Sequence, residues 1–248
     1  MKLTFLPLAI AACVVAFDAS AATPNTVTTF SDGQMDDWYG RHEASSLTTS
    51  VDTTFGNDAP ALRSTGIDFL KVGIRFATDS SAYTGDLTKF SSVTFSVDMD
   101  TIAFSRVNTP GAPQMQSNLY LDLLDYNHPA PGYDASILSI NLGSFTQGTG
   151  WTKYQVTFDP RTTTLGDSWS TNDPSVSLQQ LLSNVTEVAF RTDAGSKKLG
   201  AIGYDIAVDN MSFNGVSAVP EPSEVSLLLG GIGVLAMYAR RKRAQRAV

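Results

Sequence analysis

Hydrophobic and polar residues alternate with a period of two along most of the chain. The five clearest segments are residues 92–100, 118–123, 138–142, 154–159 and 188–191, and three weaker ones are residues 46–51, 61–64 and 71–76. Because successive side chains of a strand point to opposite faces, each segment predicts a half-buried β-strand. Eight such segments, each with one apolar and one polar face, predict a single antiparallel β-sandwich and therefore an all-β fold class.

Two local features depart from the strand pattern. Residues 178–184 predict one short helix, with Ser177 or Ser175 as its N-cap. In the last predicted strand the apolar residues change phase by one position between Val208 and the next apolar pair. Such a slip predicts a β-bulge at residues 209–210, which would re-aim the side chains at that point.

The first 22 residues have the pattern of a secretory signal peptide. An apolar segment follows Lys2, and Ala19-Ser20-Ala21 supplies the small residues that signal peptidase requires, so we expect cleavage after Ala21. A lipobox-like sequence that ends at Cys13 leaves lipidation of this cysteine as an alternative. Cleavage after Ala21 would remove the only cysteine, and the mature protein would then have no disulfide.

The C-terminal residues 219–248 have three parts in a fixed order. They are the motif Pro220, Glu221, Pro222 and Ser223, an uncharged segment at residues 225–239, and the basic cluster Arg240, Arg241, Lys242 and Arg243. A helix over the uncharged segment would be about 22 Å long, which is shorter than the hydrocarbon core of about 30 Å. The segment therefore predicts a short, marginal membrane anchor whose basic end stays in the cytoplasm.

This order of motif, apolar segment and arginine cluster resembles the PEP-CTERM sorting signal. The resemblance implies that the chain is exported by a Gram-negative bacterium that makes exopolysaccharide. It also implies that exosortase, the partner enzyme, cuts the tail near the Pro-Glu-Pro motif. The short helix would then anchor the protein only transiently before it reaches the cell surface or the exterior. An ordinary tail anchor is the alternative interpretation.

Removing both ends changes the charge of the part that folds. The full chain has a formal charge of −7, whereas residues 23–218 carry 11 basic and 21 acidic side chains, a formal charge of −10. A domain this acidic lacks the basic surface that nucleic acids require, so we expect no nucleic-acid partner. The charge suits an exported protein or one that attracts divalent cations.

Residues 26–214 resemble the jelly roll of galactose-binding-like carbohydrate-binding modules. Three segments carry the resemblance: residues 30–33 with Trp38, residues 150–158, and residues 208–213. The resemblance implies a structural Ca²⁺ held by Asp32 and Asp209, and no other cofactor. Ser31 departs from the pattern, because many relatives have an acid there, and a purely structural Asp209 at the bulge is the alternative. Carboxylates and loop carbonyls are ligands that Ca²⁺ accepts.

No catalytic motif is apparent, so we expect no enzymatic activity. The chain has only two histidines, and residues 23–218 contain just Glu43 and Glu187 beside 19 Asp, with nothing to select a catalytic pair. Tyr126, Tyr133 and Trp169 lie in polar, turn-rich stretches and are the candidates for stacking on sugars. Packing of these loop aromatics onto the sandwich is the alternative for each, whereas Trp38 and Trp151 are expected in the core.

The sequence therefore leads to one function and two rivals. The leading hypothesis is a non-catalytic exported surface or matrix protein that binds or scaffolds exopolysaccharide. The first rival is a carbohydrate-active enzyme, a glycoside hydrolase or lyase, on the same sandwich. The second rival is a structural domain without a ligand.

Overall fold

A computed structural model of the chain describes residues 23–41, 46–57, 60–69, 73–107, 115–164, 166–193 and 201–217. The strands are β1 Thr26–Thr28, β2 Trp38–Arg41, β3 Thr48–Asp52, β4 Ala61–Asp68, β5 Arg75–Thr78, β6 Phe90–Arg106, β7 Gln116–Asp125, β8 Ser136–Thr146, β9 Thr152–Phe158, β10 Trp169–Thr171, β11 Glu187–Thr192 and β12 Ile202–Ser217. One α-helix, α1 Leu178–Leu182, and one 3₁₀ helix, Leu87–Lys89, complete the described elements.

The strands form two antiparallel six-stranded sheets. Sheet A has the order β3-β4-β12-β6-β9, with β1 also pairing with β12, and sheet B has the order β10-β8-β7-β11-β5-β2. Most neighbours in each sheet are distant in sequence, so the chain crosses repeatedly between the sheets, as in a jelly roll. The predicted all-β sandwich is confirmed.

The core lies between the two sheets and is built from the apolar positions of the alternating pattern. Phe95, Phe190 and Leu121 are buried there, together with Trp38. The Trp38 ring packs edge-on against Tyr83, with centroids 5.1 Å apart, and stacks on Phe190 at 6.0 Å. These contacts join β2 to β11 and explain why an edge strand of four residues is held in place.

The predicted elements agree closely with the observed ones. Four of the five clear segments lie within β6, β7, β8 and β11, and residues 154–159 extend one residue past the end of β9. The three weaker segments overlap β3, β4 and β5, although residues 70–72 lie outside the described residues. Ser177 is the N-cap of α1, because its side chain accepts a hydrogen bond from the Gln180 N–H. The bulge is also confirmed: the register of β12 against β6 shifts between Asp209 and Ser212, where Asn210 has a φ of 49°.

Both predicted terminal segments lie outside the described residues. This applies to the signal peptide with Cys13, and to the C-terminal segment with Pro220–Ser223 and Arg240–Arg243. Within the ranges that the structure describes, no helix is long and apolar enough to cross a membrane.

Candidate functional site

The outer face of sheet B, which points away from the core, carries an ordered set of polar side chains. Strand register places them in two rows that run across the strands. The first row is Arg41, Arg75, Arg191, Tyr120 and Asn141, and the second is Tyr39, Ala77, Ala189, Asp122, Ser139 and Ser170. Because the side chains between these positions are buried in the core, both rows face outward.

Asp122 is the centre of the first cluster on this face. Its side chain is only 1% exposed, yet both its oxygen atoms have partners. The Oδ2 atom accepts hydrogen bonds from Arg191 Nε at 2.6 Å and from Arg75 at 3.2 Å. The Oδ1 atom accepts from Ser139 Oγ at 2.7 Å and from Arg191 at 3.3 Å. The carboxylate thus fixes two adjacent arginines in place.

Glu187 is the centre of a second cluster on the same face. Its Oε2 atom accepts hydrogen bonds from the Tyr39 hydroxyl at 2.9 Å, from Arg41 at 3.1 Å and from the Tyr126 hydroxyl at 3.2 Å. Its Oε1 atom is buried without a hydrogen-bond partner among the described residues, and Arg75 Nη1 lies 4.0 Å away. A buried carboxylate oxygen without a hydrogen bond is costly, and the surrounding side chains close this one off from solvent.

The tyrosines on this face are held as hydrogen-bond donors. Burial, and then the nearby Glu187 carboxylate, raises the pKa of Tyr39 well above its usual value. Burial also raises the pKa of Tyr126, although a hydrogen bond from Arg41 opposes the shift. Both hydroxyls therefore keep their protons at neutral pH. The Tyr120 ring lies beneath the Arg191 guanidinium, 4.8 Å from its Cζ atom, in a cation–π contact.

Small apolar residues fill the space beneath these taller side chains. Ala77 and Ala189 are fully buried in the second row, where they pack with Leu124 and Ala135 and against the Tyr39 and Tyr126 side chains. This apolar cluster is therefore covered, and the half-buried Tyr39 and Tyr126 rings that pack against it lie at the surface between the two charged clusters. This arrangement suits a ligand that has both C–H faces and many hydroxyl groups.

The three aromatic candidates do not share one surface. Tyr126 belongs to the Glu187 cluster. Tyr133 is 60% exposed in the connection from β7 to β8. Trp169 is half-buried on β10 opposite Ile140, which directs it inward, and its ring packs edge-on against Phe158 at 5.0 Å. Of the three candidates that the sequence suggested, only Tyr126 therefore lies on the outer face of sheet B.

The other members of the face were not selected by sequence patterns. Arg75, Arg191 and Tyr120 occupy the polar positions of their strands, as do Asp122 and Glu187. Polar positions are usually solvated, and nothing within one strand distinguishes these from the others. Only the pairing of β2, β5, β11, β7 and β8 brings them together.

The predicted calcium pair lies in two different environments. Asp32 is exposed, and its Oδ1 atom accepts a hydrogen bond from the Gln34 N–H at 2.8 Å. Asp209 is 2% exposed, and its Oδ1 atom accepts from the Asn210 N–H at 2.7 Å. Among the residues that the structure describes, no three acidic, histidine or cysteine side chains are grouped to hold a metal. A site made of these two aspartates and main-chain carbonyls stays a prediction.

Comparisons with known proteins bear on the tail and on the fold. Residues 218–243 match the family described as the PEP-CTERM protein-sorting motif. No curated protein matches the chain.

Several solved structures are similar in fold. The CBM22-1 xylan-binding domain from Paenibacillus barcinonensis is 12% identical over 80% of this chain and all of its own, with a TM-score of 0.46. The family 11 carbohydrate-binding module from Clostridium thermocellum is 14% identical over 79% of this chain and 99% of its own, with a TM-score of 0.44. A non-crystalline cellulose-specific module, CBM28, is 17% identical over 79% of this chain and 97% of its own, with a TM-score of 0.41. By its own sheet order and by the match of residues 218–243, the chain combines an all-β sandwich with a PEP-CTERM protein-sorting motif.

Proposed function

We propose that this protein is an exported, exosortase-sorted surface protein that binds a neutral polysaccharide, without catalysis, on the outer face of sheet B. One observation carries the proposal: partly exposed tyrosine and arginine donors, Tyr39, Arg41 and Tyr126, are held in a fixed arrangement around the buried Glu187 carboxylate. Sugars offer the complementary groups, because their hydroxyls accept as well as donate hydrogen bonds and their C–H faces pack on aromatic rings.

The balance of charge favours a neutral glycan. The three arginines of the first row contact the two buried carboxylates of Asp122 and Glu187. Their charge is thus largely compensated, and what remains is a set of directed N–H donors. The domain around them is strongly acidic, which opposes the approach of a polyanion.

The dimensions of the face favour the interior of a chain over a single sugar. The second row crosses six strands from Tyr39 on β2 to Ser170 on β10. With strands about 4.8 Å apart, six strands span roughly 24 Å, which corresponds to several consecutive sugar residues. Tyr133, in the loop after β7, is the candidate for an additional aromatic contact at the rim.

The same contacts argue against catalysis. Glycoside hydrolysis needs one carboxyl group that donates a proton and a second that acts as base or nucleophile. Asp122 is occupied by two guanidinium groups and a hydroxyl, and the Tyr39 and Tyr126 hydroxyls keep their protons. The rival enzyme would release reducing ends from a polysaccharide, and the rival structural domain would bind none.

The experiment is a binding titration of the exported protein against xylan, mixed-linked β-glucan and alginate by calorimetry and affinity electrophoresis. Arg75→Gln should weaken binding of the neutral glycans, because losing a charged hydrogen bond costs about 1.5–3 kcal/mol, or roughly ten- to hundredfold in affinity.

The matched control is Arg63→Gln on the opposite sheet. Arg63 bonds Asp52 and Asp205 in a similar clamp, with its side chain 28% exposed against 21% for Arg75. This variant should bind as the wild type does. Equal binding by both variants, or no binding to any glycan, would refute the proposed face.

The sorting and the ion require separate tests. Mass spectrometry of the exported protein should find a C-terminus near Pro220–Ser223, and an intact Arg243 in the mature form would contradict processing.

For calcium, we propose that Asp209 with Asp32 holds a structural ion. Excess Ca²⁺ should then raise the melting temperature and EGTA should lower it, because a ligand of the native state stabilises that state. Asp209→Asn should abolish the difference.

A further inference from the structure

A second concave site lies at the edge of the sandwich, where sheet A ends at β9 and sheet B ends at β10. Asp159, Thr162, Thr164 and Gly166, which lie between these strands in the sequence, form one wall. The cavity has a volume of about 270 Å³, and its lining residues are Phe158, Asp159, Thr162, Thr164, Gly166 and Trp169. It is separate from the outer face of sheet B, because Trp169 points inward from β10 whereas the neighbouring Ser170 points outward.

Gly166 keeps one edge of the Trp169 indole uncovered. A Cβ atom at this position would lie 3.3 Å from both Cδ1 and Nε1 of the indole. The backbone of Gly166 does not have a positive φ, so its conformation does not require glycine. The absence of a side chain here therefore provides space over the ring, which remains half-buried rather than enclosed.

The part of the wall that contains Thr162 and Thr164 is rich in hydroxyl groups and is fixed in place. Gln179 of α1 donates hydrogen bonds from Nε2 to the main-chain oxygens of Pro160 at 3.2 Å and Thr162 at 2.9 Å. These bonds fix the wall against the helix. Among the described lining residues Asp159 alone is charged, and it accepts two hydrogen bonds from the exposed Arg161 guanidinium.

We propose that this cavity binds a single uncharged pyranose, as a second carbohydrate site independent of the outer face of sheet B. One C–H face of the sugar packs on the Trp169 indole, and its hydroxyls bond the Thr164 side chain and the Asp159 carboxylate. The cavity is slightly smaller than the roughly 300–1,000 Å³ of sites for drug-sized ligands. It therefore fits a monosaccharide or the terminal residue of a chain rather than several residues.

The fold also supplies a matched control. Thr163 and Thr164 are adjacent, identical and both exposed, but they line different cavities. Thr163 lines a cavity of about 300 Å³ on the other side of the wall, whose described lining includes no aromatic or charged residue. A bulky residue at Thr164 would fill the indole cavity, whereas the same residue at Thr163 would not.

The test is a titration of the exported protein with the methyl glycosides of glucose, galactose and xylose, followed by tryptophan fluorescence and saturation-transfer NMR. At least one glycoside should bind with a dissociation constant in the millimolar range. Thr164→Phe should weaken this binding about tenfold or more, because the phenyl ring occupies the sugar position. Thr163→Phe and Arg75→Gln should bind as the wild type does.

The variants also separate this site from the outer face of sheet B. Loss of monosaccharide binding in Arg75→Gln would overturn the proposal, because the sugar would then lie on sheet B. Saturable binding to none of the three glycosides would overturn it as well, while leaving polysaccharide binding by the sheet B face intact. Gly166→Val provides a second filling variant if Thr164→Phe unfolds, and equal binding by Gly166→Val and the wild type would refute the site.

Discussion

Replacing Asp122 by asparagine tests whether the charge cluster on sheet B stabilises the fold. The Asp122 side chain is 1% exposed, and those of Arg75 and Arg191 are 21% and 24% exposed. The asparagine side chain would keep the size and one acceptor oxygen, but it would lose the charge. Two partly buried guanidinium groups would then have no carboxylate between them, and one of them would face an amide N–H.

The size of the effect follows from these contacts. Asp122 accepts three hydrogen bonds from guanidinium groups and one from a hydroxyl. Removing one partner of a fully buried ion pair costs about 3–5 kcal/mol. Because the arginines are partly exposed, water can solvate the guanidinium groups that lose their partner and so reduces the cost. We therefore expect a loss of about 3 kcal/mol in the free energy of unfolding. For a domain of this size the melting temperature should fall by roughly 6–12 °C.

The assay is urea unfolding followed by fluorescence and far-UV circular dichroism, with thermal melting as a second measurement. Asp159→Asn is the control, because Asp159 and Arg161 form a surface pair with both side chains about half exposed, and its loss should barely change the midpoint. The double variant with Arg191→Gln should cost clearly less than the sum of the single variants, because the two groups interact directly. A loss below about 1 kcal/mol for Asp122→Asn, or additive effects, would refute a stabilising cluster.

Two further predictions concern a glycine and an acid far from this cluster. Gly73→Ala should destabilise the protein by about 1–3 kcal/mol more than Gly132→Ala in urea unfolding. Both glycines have φ near +80°, but a Cβ atom at Gly73 would lie 2.0 Å from the Thr192 carbonyl oxygen, whereas one at Gly132 would meet no atom within 4 Å. Equal effects of the two substitutions would contradict this reasoning. A main-chain N–H and then the Arg63 guanidinium lower the pKa of Asp52 to about 2, so its stabilising contribution is present above about pH 4 and is lost as the pH falls toward 2. Melting temperatures of Asp52→Asn should therefore depend less on pH in this window than those of the wild type.

The sequence predicts the fold well wherever one face of a strand is buried. The alternation in residues 92–100 identifies β6, and the change of phase after Val208 locates the bulge. Both predictions succeed because the apolar positions mark the face of the strand that is buried in the core. The short strands β1, β2 and β10 were missed. They have three or four residues, too few for a period of two to be recognised.

The two tryptophans that were expected in the core behave differently. Trp38 is 1% exposed and lies at the centre of the core, as predicted. Trp151 is half-buried outside it, and its ring packs against Phe55 at 5.7 Å, so that prediction was wrong. Phe55 belongs to the loop between β3 and β4, which has no periodic signal. An apolar contact made by such a loop is not readable from strand patterns.

The candidate face was largely hidden for a different reason. A polar residue at an outward position is solvated in most strands, and sequence alone gives Arg75 and Asp122 the same appearance as any such residue. Their partnership depends on β5, β11 and β7 being neighbours in the sheet, although they are far apart along the chain. Predicting this site would therefore have required the order of the strands in sheet B. The alternation of apolar and polar residues identifies single strands but does not show which strands pair.

The two buried carboxylates of sheet B differ in a way that locates the proposed binding centre. Asp122 has partners on both oxygens, two guanidinium groups and a hydroxyl, so its hydrogen-bonding capacity is largely used within the protein. Glu187 receives its bonds on Oε2 alone, and Oε1 has none from the part of the chain that the structure describes. Oε1 is closed to solvent, but the donors around Glu187 are accessible, because the Arg41 side chain is 40% exposed and Tyr39 and Tyr126 are half-buried. The Asp122 cluster therefore contributes to stability and holds Arg75 on the face, whereas a glycan should make its central contact with the donors at the Glu187 end, Tyr39, Arg41 and Tyr126.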